Sequence, residues 1–210
     1  MSKKKDLLHP APSRRERSKA DKMRRILAAG DKLFSQQGFD KTTVQQIADA
    51  ADVGAGTLFL YVSDKSELLL KLFHSAIELE LKPAIKRLKA GKNFVAAIKR
   101  FLLDLMKPYE KDQELSKVFF REFLFHKGQV RAVLDGQAAE ILRALEETIK
   151  AAQADGQVDA RVDASAGALQ IYAIFHATLA FHLSDCLQGS PHATLEALLH
   201  AAWQGMAPRA

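Results

Sequence analysis

The segment Thr42–Lys65 reads TTVQQIADAADVGAGTLFLYVSDK, and its pattern predicts two short helices joined by a tight turn. Thr42 or Thr43 can cap the first of these helices with its hydroxyl oxygen. Gln45 or Gln46 then completes a capping box with the threonine that precedes it by three residues. These signals fix where the first helix begins.

The first helix is expected to bury one face before the chain turns sharply into the second. The residues expected on that face are Val44, Ile47, Ala48 and Ala51. The turn is predicted at residues 51–54 and the second helix over residues 55–62, which is about two turns. Two short helices joined in this way form the layout of a helix-turn-helix DNA reader.

Gly56 lies inside the second helix, where glycine costs about 1 kcal/mol relative to alanine. One interpretation is that the missing side chain lets this helix approach DNA or a neighbouring helix closely. The other is an ordinary weak position in a packed helix. The surrounding pattern favours the first interpretation.

A longer helix is predicted after this motif. Ser63 or Asp64 can cap it, and Asp64 with Glu67 forms the more complete capping box. Pro83 predicts that the helix breaks or kinks at Lys82. A plain helix end is favoured there over a hinge.

At these residues the chain resembles the tetracycline-repressor (TetR) family of bacterial transcription regulators. The resemblance covers about the first third of the chain and lies in Gly38-Phe39, Thr42-Thr43, Ile47-Ala48, Val53, Gly56-Thr57-Leu58, Tyr61 and Asp64-Lys65-Ser66-Glu67-Leu68. It implies three N-terminal helices that read DNA and further helices that bind a ligand and form a dimer.

The distribution of charge supports a DNA-binding N-terminus independently. Residues 1–41 hold 12 Lys and Arg against 5 Asp and Glu, a net of +7, whereas the remainder has a net of −1. The cations that can neutralise phosphates in a salt-dependent manner are Lys3, Lys4, Lys5, Arg14, Arg15, Arg17, Lys19, Lys22, Arg24 and Arg25. A solvated disordered tail is the alternative interpretation for the first residues.

Composition limits the remaining classes of protein. The chain has 210 residues with 48% hydrophobic content, enough to bury a sizeable core. Its single cysteine, Cys186, cannot form an internal disulfide. No uninterrupted apolar run approaches the length of a membrane span, so a cytoplasmic protein without a membrane partner is expected.

The pattern beyond the motif is helical throughout, and the predicted fold class is all-α with about nine helices. The further helices are predicted over residues 20–37, 94–106, 112–127, 129–155, 163–187 and 191–205. The predicted domains are a basic disordered arm (1–19), a helix-turn-helix DNA-binding domain (20–66) and a helical effector-binding and dimerisation domain (67–210).

Residue roles in DNA binding follow from this layout and from the resemblance. The predicted DNA-binding residues are Arg24, Thr43, Gln45, Ala55, Gly56, Thr57, Phe59, Leu60, Tyr61 and Lys65. Gln45 can bond an adenine edge, and Leu60 with the Thr57 methyl suits a thymine methyl group. Tyr61 and Lys65 match family positions that usually hold the phosphate backbone.

Two residues depart from the family pattern, which commonly has serine or threonine at position 54 and tyrosine at position 59. Gly54 still caps a helix but lacks a hydroxyl. Phe59 keeps the packing of the tyrosine ring but lacks its phenol. DNA affinity is therefore expected to rely more on Tyr61, Lys65 and the basic arm.

The C-terminal part is rich in aromatic residues, which by themselves favour a packed core over a pocket. The resemblance implies a pocket for a hydrophobic small-molecule effector among these helices. Its predicted walls and polar anchors are Phe101, Leu105, Phe119, Phe123, His126, Leu145, Tyr172, Phe175 and His176.

The last two helices carry many small and apolar residues, which predicts a homodimer built from a four-helix bundle. The residues predicted at that interface are Ala173, Ala177, Ala180, Leu195, Leu198, Leu199, Ala202 and Trp203. The alternative is that these helices pack only within their own subunit.

The function expected from the sequence is a ligand-responsive transcription regulator, most simply a repressor released from a palindromic operator in double-stranded DNA. A small all-α enzyme and a helical binding or scaffold protein are the alternatives. No catalytic motif, metal-binding spacing or cofactor motif is recognisable, so no catalytic residue, metal or cofactor is expected.

Overall fold

The computed structural model describes residues 13–208, and over that range the chain forms nine α-helices and no strand, which confirms the all-α prediction. The helices are α1 (Arg14–Gln37), α2 (Val44–Ala50), α3 (Ala55–Leu58), α4 (Lys65–Ala90), α5 (Phe94–Glu110), α6 (Gln113–Phe125), α7 (Gln129–Ala154), α8 (Ala164–Leu183) and α9 (Pro191–Met206). The contacts among residues divide the chain into two compact units, and the boundary between these units lies between Leu68 and Leu69.

Helix α1 begins at Arg14, earlier than the predicted start at residue 20. The hydroxyl of Ser13 accepts a hydrogen bond from the Glu16 N–H, and the Glu16 carboxylate accepts one from the Ser13 N–H. This capping box makes the prediction of a disordered arm wrong for residues 14–19. Residues 1–12, with Lys3, Lys4 and Lys5, lie outside the described range.

Helix α2 begins where its capping signals predict. Thr43 is the cap, and Gln46 completes the capping box with it. Thr42 is buried instead, and its hydroxyl donates to the Gly38 carbonyl at 2.8 Å. Ile47 and Ala48 are buried as predicted.

Helix α3 is shorter than predicted, because it ends at Leu58 and not at residue 62. After Leu58 the N–H groups of Leu60 and Tyr61 reach back only three residues, to the carbonyls of Thr57 and Leu58. The interior glycine and this tighter hydrogen bonding reduce the predicted two-turn helix to one turn followed by a further turn.

The core of the N-terminal unit is formed by side chains from all four of its helical segments. They are Ile26, Phe34, Phe39, Ile47, Leu58 and Leu68. The rings of Phe34 and Phe39 lie 5.3 Å apart between centroids. This packing stabilises the short helices α2 and α3, which would not persist in isolation.

Neither interior proline interrupts its helix, although a break at Lys82 and a helix end at residue 106 are predicted. Helix α4 continues through Pro83 to Ala90, and α5 continues through Pro108 to Glu110. Pro83 lies on an exposed part of α4. Water can therefore occupy the position of the missing N–H donor, so that the helix continues without a break.

The C-terminal unit is built mainly on the packing of α7 against α8 and of α8 against α9. Asp112, Asp163 and Ser190, which lie at or next to predicted helix starts, each accept a backbone N–H at the start of α6, α8 and α9. Helix α7 runs through Gly136 without interruption. Helix α8 ends at Leu183, before the predicted end at residue 187.

Among the described helices, α8 alone is long and apolar enough to cross a membrane by length and composition. Ser165, Gln170, His176 and Thr178 interrupt its apolar sequence. Core helices of soluble proteins also satisfy that criterion.

Candidate functional site

The residues predicted to read DNA bases lie on the exposed side of α3 and on the turn after it. Leu60 is 80% exposed and Phe59 is 53% exposed, which is unusual for side chains of this size. Ala55 and Thr57 are half-buried, whereas Leu58 is buried as expected. Phe59 and Leu60 therefore expose large apolar side chains to solvent, next to the buried side chain of Leu58.

Gly56 faces open space. A methyl group added at its α-carbon would meet no atom within 4 Å, so no neighbouring helix of the described chain requires glycine at this position. Gly56 therefore does not serve to bring α3 close to another described helix of the chain. Close approach of α3 to DNA is the interpretation that is left.

The polar residues predicted around α2 have hydrogen bonds within the chain. The Thr43 hydroxyl accepts the Gln46 N–H, which is its capping role. Gln45 is exposed, and its amide donates to the Asp49 carboxylate at 2.8 Å. Arg24 of α1 is 75% exposed and pairs with Asp21 at 2.6 Å, an interaction that solvent screens.

Lys65 is held by the protein itself. Its ammonium nitrogen lies 2.9 Å from the Phe39 carbonyl oxygen and 3.3 Å from the carbonyl oxygens of Asp40 and Thr42. The same nitrogen lies 4.4 Å from the centroid of the Phe39 ring. Tyr61, the other predicted phosphate contact, is half-buried.

A small aromatic cavity lies in the C-terminal unit. Its volume is about 30 Å³, which is room for a water molecule or two. Six predicted pocket residues line it: Leu105, Phe119, Phe123, Tyr172, Phe175 and His176. The cavity must widen before it can hold a drug-sized ligand.

Three predicted pocket residues do not line this cavity. Phe101 and Leu145 are buried in the core, with almost no exposed surface. His126 follows the end of α6, and its Nε2 atom is buried without a hydrogen-bond partner in the described chain. Aromatic and histidine content alone did not indicate which helix face each of these residues occupies.

Sequence reasoning missed six further lining residues: Ile77, Tyr109, Leu134, Gln137, Ala138 and Ile141. Residues 134, 137, 138 and 141 follow the spacing of one helix face, a pattern visible in the sequence. Gln137 is buried, and its amide donates to the His74 carbonyl at 3.2 Å. This bond connects α7 with α4 beside the cavity.

The wall of the aromatic cavity also contains polar side chains that are uncharged, including those of His176, Tyr109 and Tyr172. Burial lowers the pKa of His176, although its hydrogen bond with the Tyr172 carbonyl acts in the opposite direction. Because a carbonyl can only accept, the Nδ1 atom of neutral His176 carries the proton and Nε2 is an acceptor. Burial also raises the pKa of Tyr109, and it raises that of Tyr172 to about 12. No Lys or Arg within residues 13–208 lines the cavity.

A second and larger groove, of about 230 Å³, lies elsewhere in the C-terminal unit. Its lining includes Leu88, Phe94 and Ala152, and the Lys89–Glu147 ion pair lies at its edge, with 2.8 Å between charged atoms. None of the predicted pocket residues lines this groove. The mixed charge of its lining fits a hydrophobic effector less well than the aromatic cavity does.

The predicted dimer residues divide into exposed and buried sets. Ala173 and Leu198 are exposed, and Ala177, Ala180 and Ala202 are half-buried. Leu195 and Leu199 are buried within the chain, so their predicted place at an interface is wrong. Trp203 packs against Phe94 with 5.4 Å between ring centroids.

The exposed apolar face of α8 is larger than the sequence suggested. Leu169 is 58% exposed and Phe181 is 50% exposed, and neither residue was predicted at the interface. Together with Ala166 and Ala173 they follow helical spacing along one side of α8. Two further apolar residues are exposed, Leu187 after the end of α8 and Leu198 in α9.

No group of three or more His, Cys, Asp or Glu side chains suited to a metal ion occurs within residues 13–208. Cys186 is exposed.

Comparison with known proteins gives matches of three kinds. Residues 26–72 match the profile of the family described as "Bacterial regulatory proteins, tetR family". The uncharacterized HTH-type transcriptional regulator YhgD of Bacillus subtilis is 28% identical over 102 residues, 49% of this chain and 53% of that protein. The HTH-type transcriptional repressor KstR of Rhodococcus jostii is 28% identical over 117 residues, 55% of this chain and 53% of KstR.

The chain thus spans about half the length of these curated relatives. Among solved structures, Thermus thermophilus FadR, a TetR-family transcriptional repressor in complex with lauroyl-CoA, superimposes with a TM-score of 0.73. The match covers 90% of this chain and 96% of FadR at 22% identity, so it shows a shared fold. The helix-turn-helix segment therefore matches the tetR family of bacterial regulatory proteins over residues 26–72, and the chain shares its fold with a repressor of that family.

Proposed function

We propose that the protein is a cytoplasmic, dimeric transcriptional repressor that binds a palindromic operator and is released from it by a hydrophobic small molecule. The observation that carries this proposal is the open surface around Gly56, with Leu60 exposed beside it. An apolar side chain of this size and an unobstructed backbone suit the major groove, where thymine methyl groups provide apolar contacts.

Gly56 supports a DNA contact because no contact among the described residues requires a glycine at this position. Glycine inside a helix is unfavourable by about 1 kcal/mol relative to alanine. No described atom lies close enough to require glycine at this position. Close approach of the α3 backbone to a base edge or a phosphate explains why the cost is tolerated.

Phosphate binding is assigned to exposed cations of α1 together with Tyr61 and the cap of α2. Arg24 extends into solvent, and Arg14, Arg15, Arg17 and Lys19 are exposed on the same helix. Such contacts orient the protein on the duplex without selecting a sequence. Affinity is then expected to fall steeply as the salt concentration rises.

Dimerisation is assigned to the exposed apolar face of α8 and to Leu198 of α9. Leu169, Ala173 and Phe181 are solvent-accessible in the single chain, and contiguous apolar surface of this kind is typical of an interface. A two-fold dimer places two α3 segments about 34 Å apart, or a multiple of that distance, on one side of the duplex.

Effector binding is assigned to the aromatic cavity. The wall that the described residues form is mostly apolar and contains no cation, which suits an uncharged or acyl group better than an anion. The similar fold of Thermus thermophilus FadR, solved with lauroyl-CoA, supports an acyl chain as one candidate. A compact aromatic molecule is the other.

Release from DNA follows if the effector binds better to a conformation that fits the operator poorly. Because the cavity is small, a larger ligand must separate the side chains of α4, α7 and α8 that line it, beside the Gln137 bond to the His74 carbonyl. A difference of a few kcal/mol between the two conformations suffices, and the linkage is reciprocal. Operator DNA should therefore weaken effector binding by the same factor.

Selection from a pool of random duplex DNA tests the proposal. The purified full chain is expected to enrich a palindrome, and a matched duplex with one half-site scrambled should bind more weakly. Lauroyl-CoA and small aromatic compounds are then titrated into the complex with the selected duplex. If no sequence is enriched, the proposed role as a transcription regulator is excluded. If a sequence is enriched but neither lauroyl-CoA nor the aromatic compounds release the protein from it, the proposed effector is excluded.

A further inference from the structure

We propose that Arg25 and Lys65 are positioning residues that hold the helix-turn-helix in its DNA-reading geometry from inside the domain. This inference rests on the proposed DNA-binding function. It departs from the prediction that both residues neutralise phosphates. Each side chain is directed at backbone carbonyls on either side of α2.

Arg25 links α1 to the turn between α2 and α3. Its Nη1 atom donates to the Ala51 carbonyl at 2.9 Å, to the Asp52 carbonyl at 3.2 Å and to the Asp52 carboxylate at 3.1 Å. Its Nε atom lies 3.5 Å from the Asp21 carboxylate, without the geometry of a hydrogen bond. The side chain is about one-third exposed.

The turn bound by Arg25 has a conformation that needs support. Asp52 has φ = 52°, in the left-handed region that favours glycine. The N–H of Val53 bonds the Ala48 carbonyl, and the N–H of Asp52 bonds the Asp49 carbonyl, the pattern of a Schellman motif. Arg25 stabilises this motif through both the carbonyl and the carboxylate of a residue that is not glycine.

Lys65 acts in the same way at the other end of α2. It is the first residue of α4, and its ammonium group contacts the carbonyls of Phe39, Asp40 and Thr42 in the loop that leads to the cap of α2. An ammonium group has three N–H donors. Three carbonyl partners use all of them, which leaves none for a phosphate oxygen.

The two cations thus fix the start and the end of α2 relative to α1 and to the first turn of α4. The orientation of α2 sets the direction in which the turn delivers α3. Loss of either cation is therefore expected to disorganise base readout more than general attraction to DNA. A phosphate contact would show the opposite behaviour, because it contributes equally to every sequence.

The salt dependence of binding separates the two roles. Each phosphate contact contributes about 0.9 to the slope of log K against log salt concentration, so a symmetric dimer would lose about 1.8 when one such residue is removed. The variants are Lys65→Met and Arg25→Met, with Arg24→Met as the matched control from the exposed face of α1. The probes are the palindrome selected by the wild-type protein and a duplex of the same length and unrelated sequence.

Lys65→Met and Arg25→Met are expected to keep the wild-type salt slope and to lose at least tenfold in affinity for the palindrome, with little loss on the unrelated duplex. Arg24→Met is expected to lower the slope and to weaken both duplexes alike. Lys65→Arg keeps the charge, but its larger planar group does not fit three converging carbonyls, so it should not restore affinity.

A slope reduced by about 1.8 in Lys65→Met, or full rescue by Lys65→Arg, would overturn the positioning role of Lys65. The same slope change in Arg25→Met would overturn that of Arg25. If circular dichroism shows that a methionine variant is unfolded, the unfolding itself supports an internal role. The salt dependence of DNA binding is then measured on Lys65→Gln or Arg25→Gln instead. A wild-type protein that selects no DNA contradicts the proposed function instead, so the two failures are distinguishable.

Discussion

The Arg87 guanidinium lies 2.7 Å from the Asp104 carboxylate and pairs helix α4 with α5 in the C-terminal unit. The Asp104 side chain is only 3% exposed, and Lys107 also contacts it at 2.8 Å. A buried carboxylate without partners would be unfavourable, so these two cations make the position tenable. The pair joins α4 to α5, and Leu105, the residue after Asp104, lines the aromatic cavity.

The Asp104 pair predicts a specific pH dependence of stability. Burial alone would raise the pKa of Asp104, but hydrogen bonds from Lys107 and Arg87 outweigh it and lower the pKa below the ordinary 3.8. A depressed pKa contributes stability above the unfolded value, which is lost as the pH falls through the folded value.

Asp104→Asn should therefore reduce the free energy of unfolding by about 1–3 kcal/mol at pH 7. Urea denaturation of both proteins checks this, and the difference should stay constant down to about pH 5 and shrink only in stronger acid. A difference that disappears between pH 7 and pH 5 would contradict the assigned direction of the shift.

His176 predicts a second pH effect, at a higher pH. Its pKa is lowered by burial, so the unfolded chain takes up a proton below about pH 6.5 while the folded state stays neutral. Wild-type stability should decrease from pH 7 to pH 5.5, and His176→Phe should decrease less. Thermal denaturation at both values measures this, and parallel losses in the two proteins would count against a buried neutral His176.

Gly56→Ala should have opposite effects on stability and on DNA binding. Alanine stabilises an open helical position by about 0.5–1 kcal/mol relative to glycine, and no atom of the described part of the chain lies within 4 Å of the added methyl group. The added methyl group should lower operator affinity about tenfold, which is about 1.4 kcal/mol. Gly136→Ala in α7 is the matched control, because a methyl group there also meets nothing within 4 Å.

The control should gain stability without losing DNA affinity. A Gly56→Ala protein that binds the operator as well as the wild type would show that α3 does not approach DNA closely at this position.

Leu60→Ala should weaken binding to a thymine-containing half-site about tenfold, through loss of apolar contact in the major groove. The substitution should leave the unfolding free energy almost unchanged, because Leu60 is 80% exposed. Leu79→Ala is the control, since Leu79 of α4 is 78% exposed and lies outside the helix-turn-helix. Equal DNA affinities of the two variants in a fluorescence anisotropy titration would refute a base contact by Leu60.

If the protein is the proposed dimer, Leu169→Glu should convert it to a monomer that keeps its fold, because a charge in an apolar interface loses its hydration without a partner. Leu124→Glu provides a control of similar exposure, 61% against 58%, on α6. Sedimentation velocity distinguishes the species. Dissociation in both variants, or in neither, would argue against the α8 interface.

Local signals in the sequence predicted the parts of the fold that depend on neighbouring residues. Thr43 with Gln46 marked the start of α2, and Asp163 marked that of α8, because a cap and its N–H partner lie three residues apart. Ser13 with Glu16 is an equally local signal, although the strong charge of the surrounding segment favours a disordered arm.

Features that depend on tertiary surroundings were not predictable in this way. Pro83 and Pro108 are helix breakers by propensity, yet both lie inside helices that packing maintains. Leu195 and Ala173 have similar apolar character, but one is buried in the chain and the other is exposed. Lys65 looks like a free cation in sequence, and its three carbonyl partners lie more than twenty residues away.

Hydroxyl-radical footprinting of the full chain on its selected duplex tests the DNA-binding role most directly. The expected result is two symmetric protected segments about 34 Å apart, or a multiple of that distance; protection should require about tenfold more protein with Gly56→Ala and no more than the wild-type amount with Gly136→Ala. A single protected segment, uniform protection along the duplex, or protection by Gly56→Ala at the wild-type amount of protein would contradict the account.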